Sequence, residues 1–382
     1  MKNDGTHCIR VLELFSGIGG MHYALSKARD TLSPQIFDFE VVAAIDISDV
    51  ANKVYQHNFP QVHHIAGNIC GLTAEKINKW EIDAIFMSPP CQPFTRQGLQ
   101  KDLNDSRTEP LVHIVNLLPK LRRLKYILVE NVKGFENSDT CKLLTKALHK
   151  LSFETKTFLV SPTQIGIPNS RLRFYLLAKK TNHPGQNIFE EIDPAMNVIT
   201  DLTGLVNISP IIKDAFLQNT NPCALEDYLK CNANNDSLLI PDKVLCKYGE
   251  ILDIVKPTST NSCCFTKSYG RYAEGTGSVI QQDGNLDSVY ERAKMYDKKS
   301  DDYVKILQEL KLRYIEPYEV ADILGFPVKN SAYNAQVGEI HFQFPPEYLE
   351  RRLHCYRVLG NSLNVNVVCF LSCILFTWNN NN

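Results

Sequence analysis

The chemistry open to this chain starts at Cys91. It stands in Ser88-Pro89-Pro90-Cys91-Gln92-Pro93-Phe94-Thr95, directly after the apolar run Ala84-Ile85-Phe86-Met87. Proline holds φ at about −65°, so Pro89, Pro90 and Pro93 make the surroundings of this thiol stiff. Burying a thiol needs no such stiffness. Holding one at a strand end, facing a cleft, does, and a thiolate placed there is a nucleophile.

Three further groups could serve it. The apolar run Tyr126-Ile127-Leu128-Val129 ends at Glu130, followed by Asn131 and Val132. A carboxyl partly withdrawn from water can share a proton with a substrate nitrogen; a solvated strand terminus is the plainer reading. Arg171 and Arg173, within Gln164 to Phe174, fall on one face if the segment enters a strand, because the strand period is two. Aimed at a cleft they would bind an anionic backbone or support a thiolate; on an edge strand they would be solvated. The turn Glu13-Leu14-Phe15-Ser16-Gly17-Ile18-Gly19-Gly20 has glycines that let backbone amides approach a ligand. It lacks the third spaced glycine of the dinucleotide pattern. Asp46, at the end of the next apolar run, can accept both hydroxyls of a ribose, so turn and aspartate together suggest a nucleoside-containing cofactor. A plain turn and a helix-capping aspartate would explain each alone. Leu359-Gly360-Asn361-Ser362-Leu363-Asn364-Val365 opens the last apolar helix, with Asn361 or Ser362 as its N-cap.

The elements that must position these groups alternate. Strand patterns at Ile9 to Phe15, Val41 to Ile45, Val62 to Ala66, Ala84 to Met87 and Tyr126 to Val129 are separated by helical patterns. The helices are expected from the glycine turn to Ala28, to about Asn58 from a Ser48-Asp49 cap, over Thr73 to Trp80, Glu109 to Arg123 and Ser138 to Leu151. Thr155 to Val160 and Leu172 to Ala178 are strands with no long helix between them. The succession predicts a doubly wound α/β sheet closing with an antiparallel pair. Ligands sit at the carboxyl ends of such strands, where Gly17 to Gly20, Asp46, Cys91 and Glu130 fall. From Thr181 to Asp242 the pattern dissolves into Asn, Pro and Asp, including Asn232 to Asp236, as a domain crossover with a mobile loop would. Tyr303 to Leu324 reads as a helix interrupted near Pro317. No internal repeat is present.

With 382 residues the chain has room for one large or two medium domains. A formal charge of −1 advertises no global field for nucleic acid, so such a partner must meet a local patch. The densest basic run, Lys120 to Lys125, is a solvated helix end or a phosphate contact. Twelve cysteines include no CxxC pair and no zinc spacing, so no metal site is expected. Met1 to Thr6 is polar, without the pattern of a secretory signal, and the thiols imply cytosol or nucleus. Val365 to Trp378 is apolar but too short for the ~20 residues of a spanning helix, so a buried helix and no membrane partner are expected. A monomer is expected.

In this order, the pieces resemble the cytosine C5-methyltransferases: the Phe-Ser-Gly-Ile-Gly-Gly loop, Pro-Pro-Cys-Gln, Glu130-Asn131-Val132, Arg171-Leu172-Arg173 and Gly360-Asn361-Ser362. Within the family, the chain resembles the "type 2" DNA-methyltransferase homologues that act on tRNA. That likeness rests on Pro90 to Arg96, Asp105-Ser106-Arg107-Thr108, Cys264-Phe265-Thr266-Lys267 and Glu274 to Ser278.

The resemblance implies a Rossmann-like sheet that uses S-adenosylmethionine, at residues 1–181 and 352–382, with a smaller, irregular target-recognition domain at 182–351. It implies that Cys91 adds to C6 of a cytosine while Glu130 holds N3 and the exocyclic amine, with Arg171 and Arg173 in support. The cofactor residues would be Phe15, Ser16, Gly17, Ile18, Gly19, Gly20, Asp46, Ile47, Asn68, Ile69, Ser88, Asn361 and Ser362. Asn68 departs from the acid many relatives carry there. The implied substrate is an anticodon-loop cytosine, position 38 of aspartate tRNA. The same chemistry on DNA is the alternative. A non-catalytic RNA binder is opposed by the intact Cys91, Glu130 and Arg173, and an NAD-dependent oxidoreductase by the missing glycine.

Overall fold

The computed structural model describes residues 8–90, 107–181, 194–195, 197–205, 208–218, 220–230, 236–329, 331 and 341–378. Cys91 and the segment after it to 106 lie outside the described residues, as do 231–235. The chain forms two compact units. Unit 1 comprises residues 1–161, 172–218 and 363–382; unit 2 comprises 162–171 and 219–362.

Unit 1 begins with β1 (Cys8–Leu14), α1 (Gly20–Leu32), β2 (Asp38–Asp46), α2 (Asp49–Asn58), β3 (His63–Ala66), α3 (Ala74–Lys79) and β4 (Ala84–Met87). It continues with α4 (Glu109–Leu117), β5 (Tyr126–Val132), α5 (Asp139–Lys150), β6 (Phe153–Val160), β7 (Arg173–Lys180), β8 (Val198–Ile199) and α6 (Pro210–Phe216). The strands form one sheet in the order β3-β2-β1-β4-β5-β7-β6-β8. Strands β1 to β5 are parallel, and β7 runs antiparallel to both β5 and β6. This is the doubly wound sheet with an antiparallel pair that the alternation predicts.

Central parallel strands are covered on both faces, so they read as unbroken apolar runs. All four residues of β4 are buried. Helix α5 shows the amphipathic alternative: Cys141, Leu144 and Leu148 face inward at helical spacing, and the Ser138 hydroxyl caps it by accepting from the Cys141 N–H (3.0 Å). Ile85, Met87, Ile127, Val129, Leu144 and Phe174 share one core. Burying each is worth about 1.5–3 kcal/mol.

Three boundaries differ from expectation. β5 runs on to Val132, so Glu130 and Asn131 lie within the strand rather than beyond it. Helix α4 stops at Leu117, because Pro119 lacks the N–H that continuation needs. β7 starts at Arg173, so Arg171 precedes the strand and does not share its face.

Unit 2 holds α7 (Asp242–Tyr248), β9 (Ile254–Val255), β10 (Val279–Ile280), α8 (Leu286–Ala293), α9 (Asp301–Gln308), β11 (Arg313–Tyr314), α10 (Pro317–Ile323), α11 (Pro346–Leu349) and α12 (Arg352–Gly360). Its small sheet has the order β11-β10-β9. The fully buried Tyr269 is its hub, with Phe265, Tyr314 and Tyr356 edge-on at centroid distances of 5.1, 5.5 and 4.8 Å. The helix expected over Tyr303 to Leu324 with an interruption near Pro317 is α9 and α10 separated by β11; Pro317 opens α10, where Glu316 supplies a capping box.

The chain then returns to unit 1 as α13 (Val365–Thr377), packed on α1, α6 and β7. Its cap is neither Asn361 nor Ser362. Asn364 accepts from the N–H groups of Asn366 and Val367 (3.1 Å each), while Asn361 ends α12. Arg352 to Thr377 is long and apolar enough to cross a membrane by length and composition, yet it is two helices and 78% of the apolar window is buried.

Candidate active site

The glycine turn joins β1 to α1 through left-handed backbone at Phe15 (φ 55°), Gly17 (φ 54°) and Gly19 (φ 87°). Gly19 is required twice over. Its φ suits glycine, and a Cβ there would lie 2.5 Å from the Phe59 ring. A Cβ on Gly17 would meet nothing within 4 Å, so one side of the turn is open. Ser16 is buried, and its hydroxyl makes no hydrogen bond among the described residues.

Asp46 ends β2 and fastens the turn. Its Oδ2 accepts from the Gly17 N–H (2.9 Å) and its Oδ1 from the Ser48 N–H (2.8 Å). Each carboxylate oxygen keeps a second lone pair. Next to it Ile47 is 71% exposed, an apolar side chain left uncovered beside the turn. Asn68 caps a short helical turn, accepting from the Cys70 N–H (2.9 Å), and the Ile69 side chain is packed in the core. Only the main chain of Ile69 is left to meet a ligand.

Beneath the turn lies a group that the sequence reading missed. Glu13 is fully buried, and burial pushes its carboxyl up to about 8, with the Tyr55 hydroxyl pulling the other way. The Tyr55 hydroxyl also meets His22 Nδ1 (3.0 Å). His22 stacks on Phe59 with centroids 3.8 Å apart, and burial pushes it down to about 3. A carboxylate inside the otherwise apolar run Val11 to Phe15 was the available signal.

At the ends of β4 and β5 three expected residues meet. The Ser88 hydroxyl donates to Glu130 Oε2 (2.5 Å). Arg173 Nε lies 3.6 Å from Glu130 Oε1. The register explains this pair: Val132 faces Arg173 across the antiparallel ladder, and Glu130, two residues back, shares that face. Asn131 donates to the Pro89 carbonyl (3.3 Å), tying β5 to the segment that leads into Cys91. A largely buried carboxylate is thus held between a hydroxyl and a guanidinium, beside the entry to the proline-flanked thiol.

Arg171 is brought to a different place. In unit 2 its guanidinium donates to the carbonyls of Phe265 (3.0 Å), Gly360 (3.3 Å) and Ser362, and meets Cys264 Sγ at 3.4 Å. It clamps the Cys264-Phe265 segment to the Gly360-to-Ser362 turn. The fit is tight: a Cβ on Gly360 would lie 2.0 Å from the Thr266 carbonyl carbon. Among the described residues no cluster of His, Cys, Asp and Glu could hold a metal ion.

Residues 9–372 match the family described as C-5 cytosine-specific DNA methylase. A human protein named tRNA (cytosine(38)-C(5))-methyltransferase is 41% identical, over 96% of this chain and 99% of its own. A crystal structure of a mutant of Spodoptera frugiperda DNMT2 superposes with a TM-score of 0.78 at 39% identity, covering 96% of this chain and 99% of that one. The S. pombe Dnmt2 methyltransferase structure gives 0.72 at 32% identity, covering 97% and 98%.

Proposed function

The chain belongs to the C-5 cytosine-specific DNA methylase family, and we propose that it methylates C5 of a cytosine in a tRNA anticodon loop. The substrate reading is supported by full-length similarity to proteins named for cytosine 38 of tRNA. The observation that carries the chemistry is Glu130, held by Ser88 and Arg173 where Pro89 and Pro90 lead into Cys91.

S-adenosylmethionine, the family's methyl donor, supplies an electrophilic methyl group. The residues fit it. The open side of Gly17, the unengaged Ser16 hydroxyl, the spare lone pairs of Asp46 and the uncovered Ile47 form one neighbourhood for an amino acid, a ribose and a flat base. Asn68 and the main chain of Ile69 would meet the edge of the base. Phe15, Ile18, Gly19 and Gly20 shape the turn.

The Cys91 thiolate adds to C6 of the ring, forming an S–C6 bond as the ring π electrons move toward C5. The Glu130 carboxyl gives its proton to N3 as negative charge builds in the ring, and its other oxygen accepts from the exocyclic amine. Arg173, in contact with Glu130, fixes the carboxyl's orientation. Arg171 holds the Gly360-to-Ser362 turn within unit 2. Once C5 carries the methyl group, loss of the C5 proton to solvent leaves its electron pair to restore the C5–C6 double bond, the Cys91 sulfur leaves, and the N3 proton returns to Glu130. The covalent adduct divides one hard step into two. An anticodon loop offers unpaired bases at lower cost than a duplex. We place target reading in residues 182–351.

The test is methyl transfer from tritiated S-adenosylmethionine to tRNA and to duplex DNA of matched cytosine content, with bisulfite sequencing to locate the product. Labelling of tRNA, lost in Cys91→Ala while tRNA binding persists, is expected. Stronger labelling of DNA overturns the substrate; turnover in Cys91→Ala overturns the nucleophile.

A further inference from the structure

Between Phe265 and Ser278, unit 2 buries one tyrosine and turns the next one out. Tyr269 is 2% exposed; its hydroxyl donates to the Ser278 carbonyl (2.6 Å) and accepts from the Ile315 N–H (2.9 Å). Three residues on, Tyr272 is 69% exposed, and its ring touches no aromatic ring or cation among the described residues.

The loop that carries it is built to hold still. The Thr266 N–H donates to the Thr276 carbonyl (2.9 Å), and the Thr276 hydroxyl donates to the Tyr272 carbonyl (2.7 Å). The N–H groups of Arg271 and Tyr272 both return to the Ser268 carbonyl (2.9 and 3.2 Å). Gly277 has φ 145°, and a Cβ there would strike Phe265 and Tyr269 at 2.7 Å. At its base the loop is gripped by Arg171 through the Phe265 carbonyl. An exposed tyrosine on a fixed loop presents a flat face that loses little freedom when something covers it. Its neighbours favour an anionic partner: Lys267, Arg271 and Glu274 are exposed, none makes an ion pair among the described residues, and the two cations outnumber the one carboxylate.

We propose that Tyr272 is a stacking platform for an unpaired base of the substrate RNA, with Arg271 meeting the adjacent phosphate. The inference rests on the RNA reading given above. Stacking tolerates any base, because every base has a π face, so Tyr272 adds affinity and orientation while other groups choose the cytosine.

The experiment compares wild type with Tyr272→Ala, Tyr272→Leu, Tyr272→Phe and Arg271→Ala. Thermal midpoints come first; because both side chains are exposed, they are expected to stay unchanged. Tyr272→Ala and Tyr272→Leu should weaken tRNA binding about tenfold and raise KM alike, with kcat within about twofold; Tyr272→Phe should match wild type. Arg271→Ala should lower the slope of log affinity against log salt by about one. Unchanged affinity in Tyr272→Ala overturns the proposal, as does Leu serving as well as Phe. If wild type labels no tRNA, the substrate reading falls on its own. Stacking is then judged by titration with a single-stranded RNA oligonucleotide, where equal binding of Tyr272→Ala and wild type, or none by either, overturns it.

Discussion

Replacing Glu13 by Gln should alter how stability depends on pH. Glu13 is fully buried, and its carboxyl is raised from 4.5 to about 8 by burial. Below pH 4.5 the carboxyl is protonated folded or unfolded, so folding moves no proton. Between pH 4.5 and 8 the unfolded chain releases the proton and the folded chain keeps it, so stability falls as pH rises. At about 1.4 kcal/mol per pH unit the whole loss is about 5 kcal/mol, of which about 4 is reached by pH 7.5. His22 has the opposite sign. Burial lowers it from 6.5 to about 3, so it contributes stability that is complete above pH 6.5 and lost as pH falls toward 3. From these two groups wild type should rise from pH 3 to 4.5, stay level to 6.5 and fall toward 8. Glu13→Gln keeps the shape and removes the titration. Its amide must still find partners, at a cost of about 1–3 kcal/mol, so the net gain at pH 7.5 is about 1–3 kcal/mol. Urea unfolding of both proteins at half-unit steps from about pH 5 to 8.5 measures the difference directly. A difference that does not grow with pH across that range refutes the reasoning.

Three more outcomes are expected. Glu130→Gln should lower kcat about 100-fold or more with little change in tRNA affinity, measured under single-turnover conditions. Gly360→Ala should destabilise the protein by several kcal/mol, because its Cβ would lie within 2.3 Å of the Thr266 and Lys267 backbone; Gly71→Ala, with nothing within 4 Å, is the control, and equal thermal midpoints for the two count against the packing argument. Asn364→Ala removes two cap hydrogen bonds from a buried helix end and should cost about 1 kcal/mol or more by denaturant unfolding.

The sheet was legible because its central strands are apolar runs separated by helical periods, and the site followed because ligands gather at one end of such a sheet. The meeting of Glu130 with Ser88 needed only the adjacency of β4 and β5. The two arginines were harder. Spacing suggested a shared face, but the face exists only if both lie in the strand, and β7 begins one residue too late for Arg171. The cap of α13 was hidden for a related reason: Asn361, Ser362 and Asn364 are all good caps, and packing chose among them. Strands β9, β10 and β11 have two residues each, too few to show a period. Glu13 was passed over because one carboxylate in an apolar run does not announce that it belongs to the core.

The return of α13 to unit 1 sets an order of events during synthesis. Its inner face, including Val367, Phe370, Leu371 and Ile374, and Phe376 stacked on Phe37 (4.1 Å), belongs to the packing of unit 1. The sheet, which ends at β8, has left the ribosome about 165 residues earlier, which at 5–20 residues per second is a wait of roughly 8–33 s. During that wait α1 shows an apolar flank with nothing to cover it. The nascent chain must therefore be shielded from its neighbours by a chaperone, or held in a looser form, until α13 arrives. The native packing of α1 therefore waits for α13 to be made.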